Sequence, residues 1–165
     1  MNKERNLKNI VATTFTPMYD QVEDRIRVVV NYSDINNRID FMFTRNIIID
    51  FIPQIDQYIL NHYNTNNNKI IEIDTSFKNM RAEDIFEPKH IEQTDNTDLN
   101  LLHLKNELLV KIDISYQVNT QLSLLTLTSH ENIANAQLNG EMLKQLVESI
   151  KNTIPKYRWG ISYYF

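Results

Sequence analysis

Arg25 to Asn61, RIRVVVNYSDINNRIDFMFTRNIIIDFIPQIDQYILN, is the stretch whose reading decides the fold. Ile26, Val28, Val30 and Tyr32 alternate with Arg25, Arg27, Val29 and Asn31. A period of two marks a strand with one face on a core and one largely wet. Ser33 to Asn37 is rich in residues that accept turn dihedrals. Ile39, Phe41 and Phe43 then resume the alternation against Arg38, Asp40 and Met42. A one-residue slip would send every side chain to the wrong face, so parity sets the register. Val30 is expected opposite Ile39, Val28 opposite Phe41 and Ile26 opposite Phe43. Val29 then faces Asp40 and Arg27 faces Met42, with Asp40 diagonal to Arg27.

Thr44 stands where a helix N-cap belongs, its hydroxyl free to accept an orphan backbone N–H. Ile48, Phe51, Ile52, Ile55, Tyr58 and Ile59 follow at helical spacing. Pro53 deletes one hydrogen bond of that helix and predicts a kink or break there.

Upstream, Asn9 to Phe15 carries enough β-branched residues for one strand, which Pro17 ends. Downstream, the Asn-rich run 64–68 reads as a loop and Lys69 to Asp74 as a short strand. Leu99 to Leu104 and Glu107 to Tyr116 read as strands, turned by Gln117 to Asn119. In Thr120 to Thr128 the apolar phase shifts from Leu122 and Leu124 to Leu125 and Leu127, which predicts a bulge or a strand covered on both sides. Ile133 to Leu138 adds a strand. Gly140 to Ile154 is the clearest helix, with Leu143, Leu146, Val147 and Ile150 on one stripe and Pro155 past its end.

The fold class expected is α+β: antiparallel sheet, with two amphipathic helices packed on one face. A β-meander plus helix occurs twice, at about 9–75 and 99–165, joined by an acidic linker at 76–98. The pattern implies an internal duplication within a single domain of 165 residues. A chain of this length buries roughly 70% of its unfolded surface.

Composition excludes several chemistries. There is no cysteine, so neither disulfides nor thiolate ligands or nucleophiles are available. Glycine occurs only at Gly140 and Gly160, which rules out a glycine-rich phosphate loop. No apolar run follows the basic N-terminus and none is long enough for a bilayer, so a cytoplasmic protein without a membrane partner is expected. Between Glu83 and Asp98, six acids face Lys89 alone; the −5 of this stretch exceeds the chain's −4 and leaves +1 elsewhere.

Weaker signals have plainer explanations. His62, His90, His103 and His130 are dispersed, and His90-Ile91-Glu92 lacks a third ligand, so no metal is expected. Asp34 to Asp40 imitates a calcium loop, but Ile39 stands where glycine must turn the chain. Asn31-Tyr32-Ser33 is a formal glycosylation sequon, irrelevant in the cytosol. No cofactor and no catalytic residue are indicated.

Two features carry the binding expectation. Arg25, Arg27 and Arg38 should share the outer strand face, where guanidinium groups hold phosphate or carboxylate bidentately. Asp24, Asp34 and Asp40 are available to neutralise them, which is the favoured account. At the other end, Trp159, Ile161, Tyr163 and Phe165 alternate, which predicts a last strand at a sheet edge or dimer seam.

Three functions follow in order. The first is a non-catalytic binding or adaptor module that self-associates as a homo-oligomer or holds a protein partner. A second is single-stranded nucleic-acid binding through the sheet face. Several strands followed by a helix, given twice, is similar in outline to the Whirly and Pur-type single-strand binders, a likeness of topology that carries the function by analogy only. The third, ranked last, is an enzyme of unrecognised type.

Overall fold

The computed structural model describes residues 7–64 and 105–161. The acidic linker, His90, His103, the strands expected at Lys69 to Asp74 and Leu99 to Leu104, and residues 162–165 lie outside the described residues. Eight strands run β1 (Lys8–Val11), β2 (Phe15–Asp20), β3 (Arg25–Val30), β4 (Ile39–Phe43), β5 (Asn106–Leu108), β6 (Lys111–Gln117), β7 (Leu122–Thr128) and β8 (Asn132–Leu138). Helix α1 (Arg45–Tyr63) follows β4; α2 (Gly140–Thr153) and the short α3 (Lys156–Trp159) follow β8.

The strands form two four-stranded sheets, ordered β1-β8-β7-β6 and β2-β3-β4-β5. Each is built on an antiparallel meander, β6-β7-β8 or β2-β3-β4. The fourth strand comes from the other half of the chain and pairs in parallel, β1 with β8 and β5 with β4. The sheets are therefore mixed rather than purely antiparallel, and they do not merge into one. Their inner faces and the apolar stripes of α1 and α2 share one cluster of buried residues.

The β3–β4 hairpin has the register that parity requires, Ile26–Phe43, Val28–Phe41 and Val30–Ile39. Its outer face departs from expectation. Val29, Asp40 and Met42 are buried there rather than wet, and the Arg27 and Arg38 side chains beside them are 12% and 4% exposed.

Two expected strands are each broken in two. Asn9 to Phe15 splits at Ala12–Thr14, and Glu107 to Tyr116 splits at Leu109–Val110. At both places the chain passes from one sheet to the other. The Ala12 N–H still bonds the Asn135 carbonyl (2.7 Å) of the first sheet, and two residues later the Thr14 carbonyl accepts from Asn31 (3.0 Å) of the second. The Leu109 N–H bonds Met42 (3.0 Å) and the next N–H, of Val110, bonds Thr128 (2.8 Å) in the opposite sheet. Leu109 is 1% exposed while Val110 is 50% exposed, so the apolar phase slips by one residue at the corner.

Pro17 does not end a strand. It sits inside β2 opposite Val28, and β2 is the outermost strand of its sheet, where a missing N–H is tolerated. Strand β7 has no bulge: it pairs without interruption on both sides, with Ser123, Leu125 and Leu127 inward and Leu122 and Leu124 outward.

Thr44 caps α1 by accepting the Ile47 N–H at 3.3 Å, and Asn139 caps α2 by accepting from Met142 at 2.8 Å. Pro53 does not break α1. It lies on the exposed side, where water can serve the carbonyl that lost its partner. The Lys151 ammonium joins the two helices by donating to Asp56 at 2.9 Å. Where α1 ends and α2 begins, the Tyr63 ring lies 2.5 Å from the place a Cβ on Gly140 would take, so the close approach requires glycine.

The aromatic tail does not begin as a strand. Residues Lys156–Trp159 make a helical turn that Gly160 ends in the left-handed conformation (φ 62°). Trp159 is 2% exposed and meets the Tyr19 ring edge-on at 6.4 Å.

Candidate functional site

Among the described residues, chemistry-bearing side chains gather at four places. On the outer face of β2-β3-β4-β5, Asp40 takes a two-pronged hydrogen bond from Arg38 (2.8 and 3.0 Å) and lies 4.0 Å from Arg27, which pairs with Asp20 at 2.6 Å. The Arg38 guanidinium also lies over the Tyr32 ring at 4.6 Å. Its bond to the Asp40 carboxylate pushes the Arg38 pKa up. The Asp20 carboxyl is held below its ordinary value, first by the N–H of Glu23 and then, against the opposing effect of burial, by Val22 and Arg27.

Arg27 and Arg38 thus both reach Asp40 on this face, and Arg27 reaches Asp20 as well. Arg25 instead lies 3.9 Å from Glu23 in the β2–β3 turn, Asp34 holds the β3–β4 turn, and Asp24 is spent elsewhere.

Trp159 is a fastening residue and not part of that face. Its indole N–H donates to the Asp24 carboxylate at 2.9 Å, which also accepts from the Tyr19 hydroxyl at 2.5 Å. These two donors hold Asp24 below its ordinary pKa. The Trp159 carbonyl accepts from Arg45 at 2.6 Å. The result ties the β2–β3 turn and the start of α1 to the C-terminal turn.

The third cluster lies where α1 crosses β6 and β7. The buried Ser123 hydroxyl meets the Tyr58 and Tyr63 hydroxyls at 2.8 and 2.7 Å. His62 stacks on Tyr116 at 4.6 Å and 19° and leans on Tyr58 at 4.5 Å. Burial pushes the Tyr58 phenol up. Ser123 has one proton for two phenols, so the group satisfies itself and fastens the helix to the sheet.

The fourth place is the outer face of β1-β8-β7-β6, and it is open. The Asn135 amide donates to Asn9 (2.6 Å), and its carbonyl accepts from the Thr126 hydroxyl (2.7 Å), a chain across three strands. Thr126 is paired with Asp113 of the fourth, whose carboxylate takes the Lys111 ammonium at 2.8 Å. Asn9, Lys111, Asp113, Ser115 and Gln137 are exposed.

Two buried polar residues brace the corners. Asn31, in the left-handed conformation (φ 53°), accepts from the Thr13 N–H (2.8 Å) and hydroxyl (2.9 Å), and its amide donates to Val11 (2.9 Å) and Asn37 (3.2 Å). The nitrogen a glycan would need is therefore occupied. Ser129 donates to Glu107 at 2.5 Å and accepts from the N–H groups of Glu131 and Asn132.

A small gap between the sheets and helices is lined only by apolar side chains, among them Phe15, Val28, Leu127 and Ile150. Among the described residues no three His, Asp or Glu side chains are grouped to hold a metal ion, and no helix is long and apolar enough to cross a membrane. Sequence reasoning missed Asp20, Tyr32 and the Asn9–Asn135–Thr126 chain. Only the alternation of Asn135 with Ala134 and Ala136 hinted at the last. Compared with known protein families, curated proteins and solved structures, the chain matches none.

Proposed function

We propose that the chain is a non-catalytic binding module that associates with itself. The supporting observation is the inequality of the two sheets. One outer face is buried and holds its charges in ion pairs, while the other presents a row of amide and hydroxyl groups already ordered by mutual hydrogen bonds. A surface ordered before contact loses little side-chain freedom on binding. Single-strand binding is the runner-up. It leans on the strand-and-helix pattern of the sequence and on two four-stranded sheets that could offer a face to a strand. Its chemistry is thinner, because the arginines are already held by carboxylates and the open face pairs its Lys111 with Asp113. We read the matching strand orders and the exchanged parallel strands as the mark of an internal duplication.

Sedimentation across a wide protein concentration range tests the reading, alongside anisotropy of a labelled single strand at low salt. Self-association without strand binding is the expected result. A monomer at every concentration, or strand binding that weakens steeply with salt, would replace it with the second reading or remove both.

A further inference from the structure

Each sheet has two outer strands, and three of the four are blunted. Strand β1 has four residues and β5 three; β2 carries Pro17 and has α2 against it. Strand β6 differs. It runs seven residues, Lys111–Gln117, has no proline, and pairs residue for residue with β7. Among the described residues no strand pairs with its other edge. A long regular edge of this kind offers unpaired N–H and C=O groups to another strand.

Its side chains say which strand. On the core side, Ile112, Ile114 and Tyr116 are only partly buried. On the outer side, Lys111 and Asp113 neutralise each other at 2.8 Å and Ser115 follows. We propose that two copies of the chain pair antiparallel along β6, centred on Ile114, and join two sheets into one of twice the width. The proposal rests on the self-association reading above and names its seam.

A two-fold axis makes the contact self-complementary and closed. Centred on Ile114, all seven residues pair. Ile114 meets the partner's Ile114, and Ile112 meets the partner's Tyr116, the β-branched and aromatic matches that cross-strand packing favours. Lys111 meets the partner's Gln117 and Asp113 the partner's Ser115, so no two like charges stand directly opposite. Moving the axis one residue back sets Asp113 against the partner's Asp113. Parallel pairing in register would set Lys111 on Lys111 and Asp113 on Asp113.

The chain has no cysteine, so single introduced cysteines report the register directly. Ile114→Cys, Asp113→Cys and Ser115→Cys are oxidised in turn, with Val118→Cys in the neighbouring exposed turn as a control and circular dichroism to confirm folding. Disulfide geometry limits bonding to closely opposed residues, so Ile114→Cys should cross-link at least about tenfold faster than the others. Ile114→Lys, a charge pointing inward at the edge, should abolish the dimer in sedimentation while leaving a folded monomer. A wild-type dimer whose cross-linking is equal at all four positions, or that survives Ile114→Lys, overturns the β6 seam and leaves self-association standing. A wild-type monomer throughout overturns both. An added peptide that occupies β6 in place of a second copy would appear as a monomer with a bound peptide, and that too rejects the proposal.

Discussion

The two sheets treat their outer faces in opposite ways. Across β2-β3-β4-β5, Asp20, Arg27, Asp40 and Arg38 form a chain of charges in which the Arg38 and Asp40 side chains are 4% and 3% exposed. Across β1-β8-β7-β6, Asn9, Asn135 and Thr126 form a chain of uncharged groups that stays within reach of solvent. Charges leave water only where an opposite charge and well-aimed hydrogen bonds replace it. Amides and hydroxyls have less to lose on either side. The closed face is therefore committed to its own structure, and the open one remains free for contact.

The sharpest way to break this comparison is to remove the acid that two guanidiniums share. Asp40→Ala takes from Arg38 its two-pronged hydrogen bond and from Arg27 the carboxylate 4.0 Å away. A buried pair broken from one side costs about 3–5 kcal/mol. On the open face, Thr126→Ala should cost no more than about 0.5 kcal/mol. Urea unfolding of the two variants measures both. Equal losses would mean that the faces are not different in kind.

The corner braces sharpen the comparison at a smaller scale. Asn31→Ala strands the Thr13 N–H and the Val11 and Asn37 carbonyls and places a side chain with no local hydrogen bonds in the left-handed region. Buried groups left unsatisfied cost about 1–3 kcal/mol, and Asn31→Ala belongs at the top of that range. Ser129→Ala strands two turn N–H groups and releases Glu107, which also accepts from Asn132 at 2.5 Å and so keeps a partner. A loss of about 1 kcal/mol is expected there. If Ser129→Ala proved the costlier, the brace of the β7–β8 turn rather than that of the β3–β4 turn would be the stronger.

Much of this was legible in the letters, and the exceptions share a cause. The β3–β4 register could be read because Ile26, Val28, Val30 and their partners form a single apolar row, and the cap at Thr44 because a cap acts within four residues. The corners at Ala12–Thr14 and Leu109–Val110 could not. A slip of one residue leaves no trace when Leu108, Leu109 and Val110 are all apolar. Pro17 misled because edge position is a property of the sheet, not of β2. Arg38 and Asp40 spell the same whether wet or buried. Trp159 finds its place through Asp24, 135 positions away in the chain, and no local pattern reports such a partner. The open face was missed for a related reason: Asn9 and Asn135 become neighbours only when β1 joins β8.

The smallest expected effect is a pH dependence confined to the closed sheet. The carboxyls of Asp20 and Asp24, at the two ends of the β2–β3 turn, both titrate below their ordinary value in the folded chain. Asp20 is lowered by the N–H of Glu23 and the pairing with Arg27, Asp24 by the Tyr19 and Trp159 donors. In the unfolded chain an aspartate titrates near about 3.9. Below that value the unfolded chain takes up a proton that the folded chain refuses, so stability falls as pH falls. The contribution is complete above the unfolded value and is gone once the pH has passed through the folded one. Urea midpoints measured from about pH 6 down to about pH 3 should therefore decline, and the decline should be shallower in Asp20→Asn and shallower again in Asp20→Asn with Asp24→Asn. Asp113→Asn, on the open face, is the control. An equal flattening by Asp113→Asn would place part of the acid sensitivity on the exposed surface, and the contrast between a committed face and a free one would lose its electrostatic half.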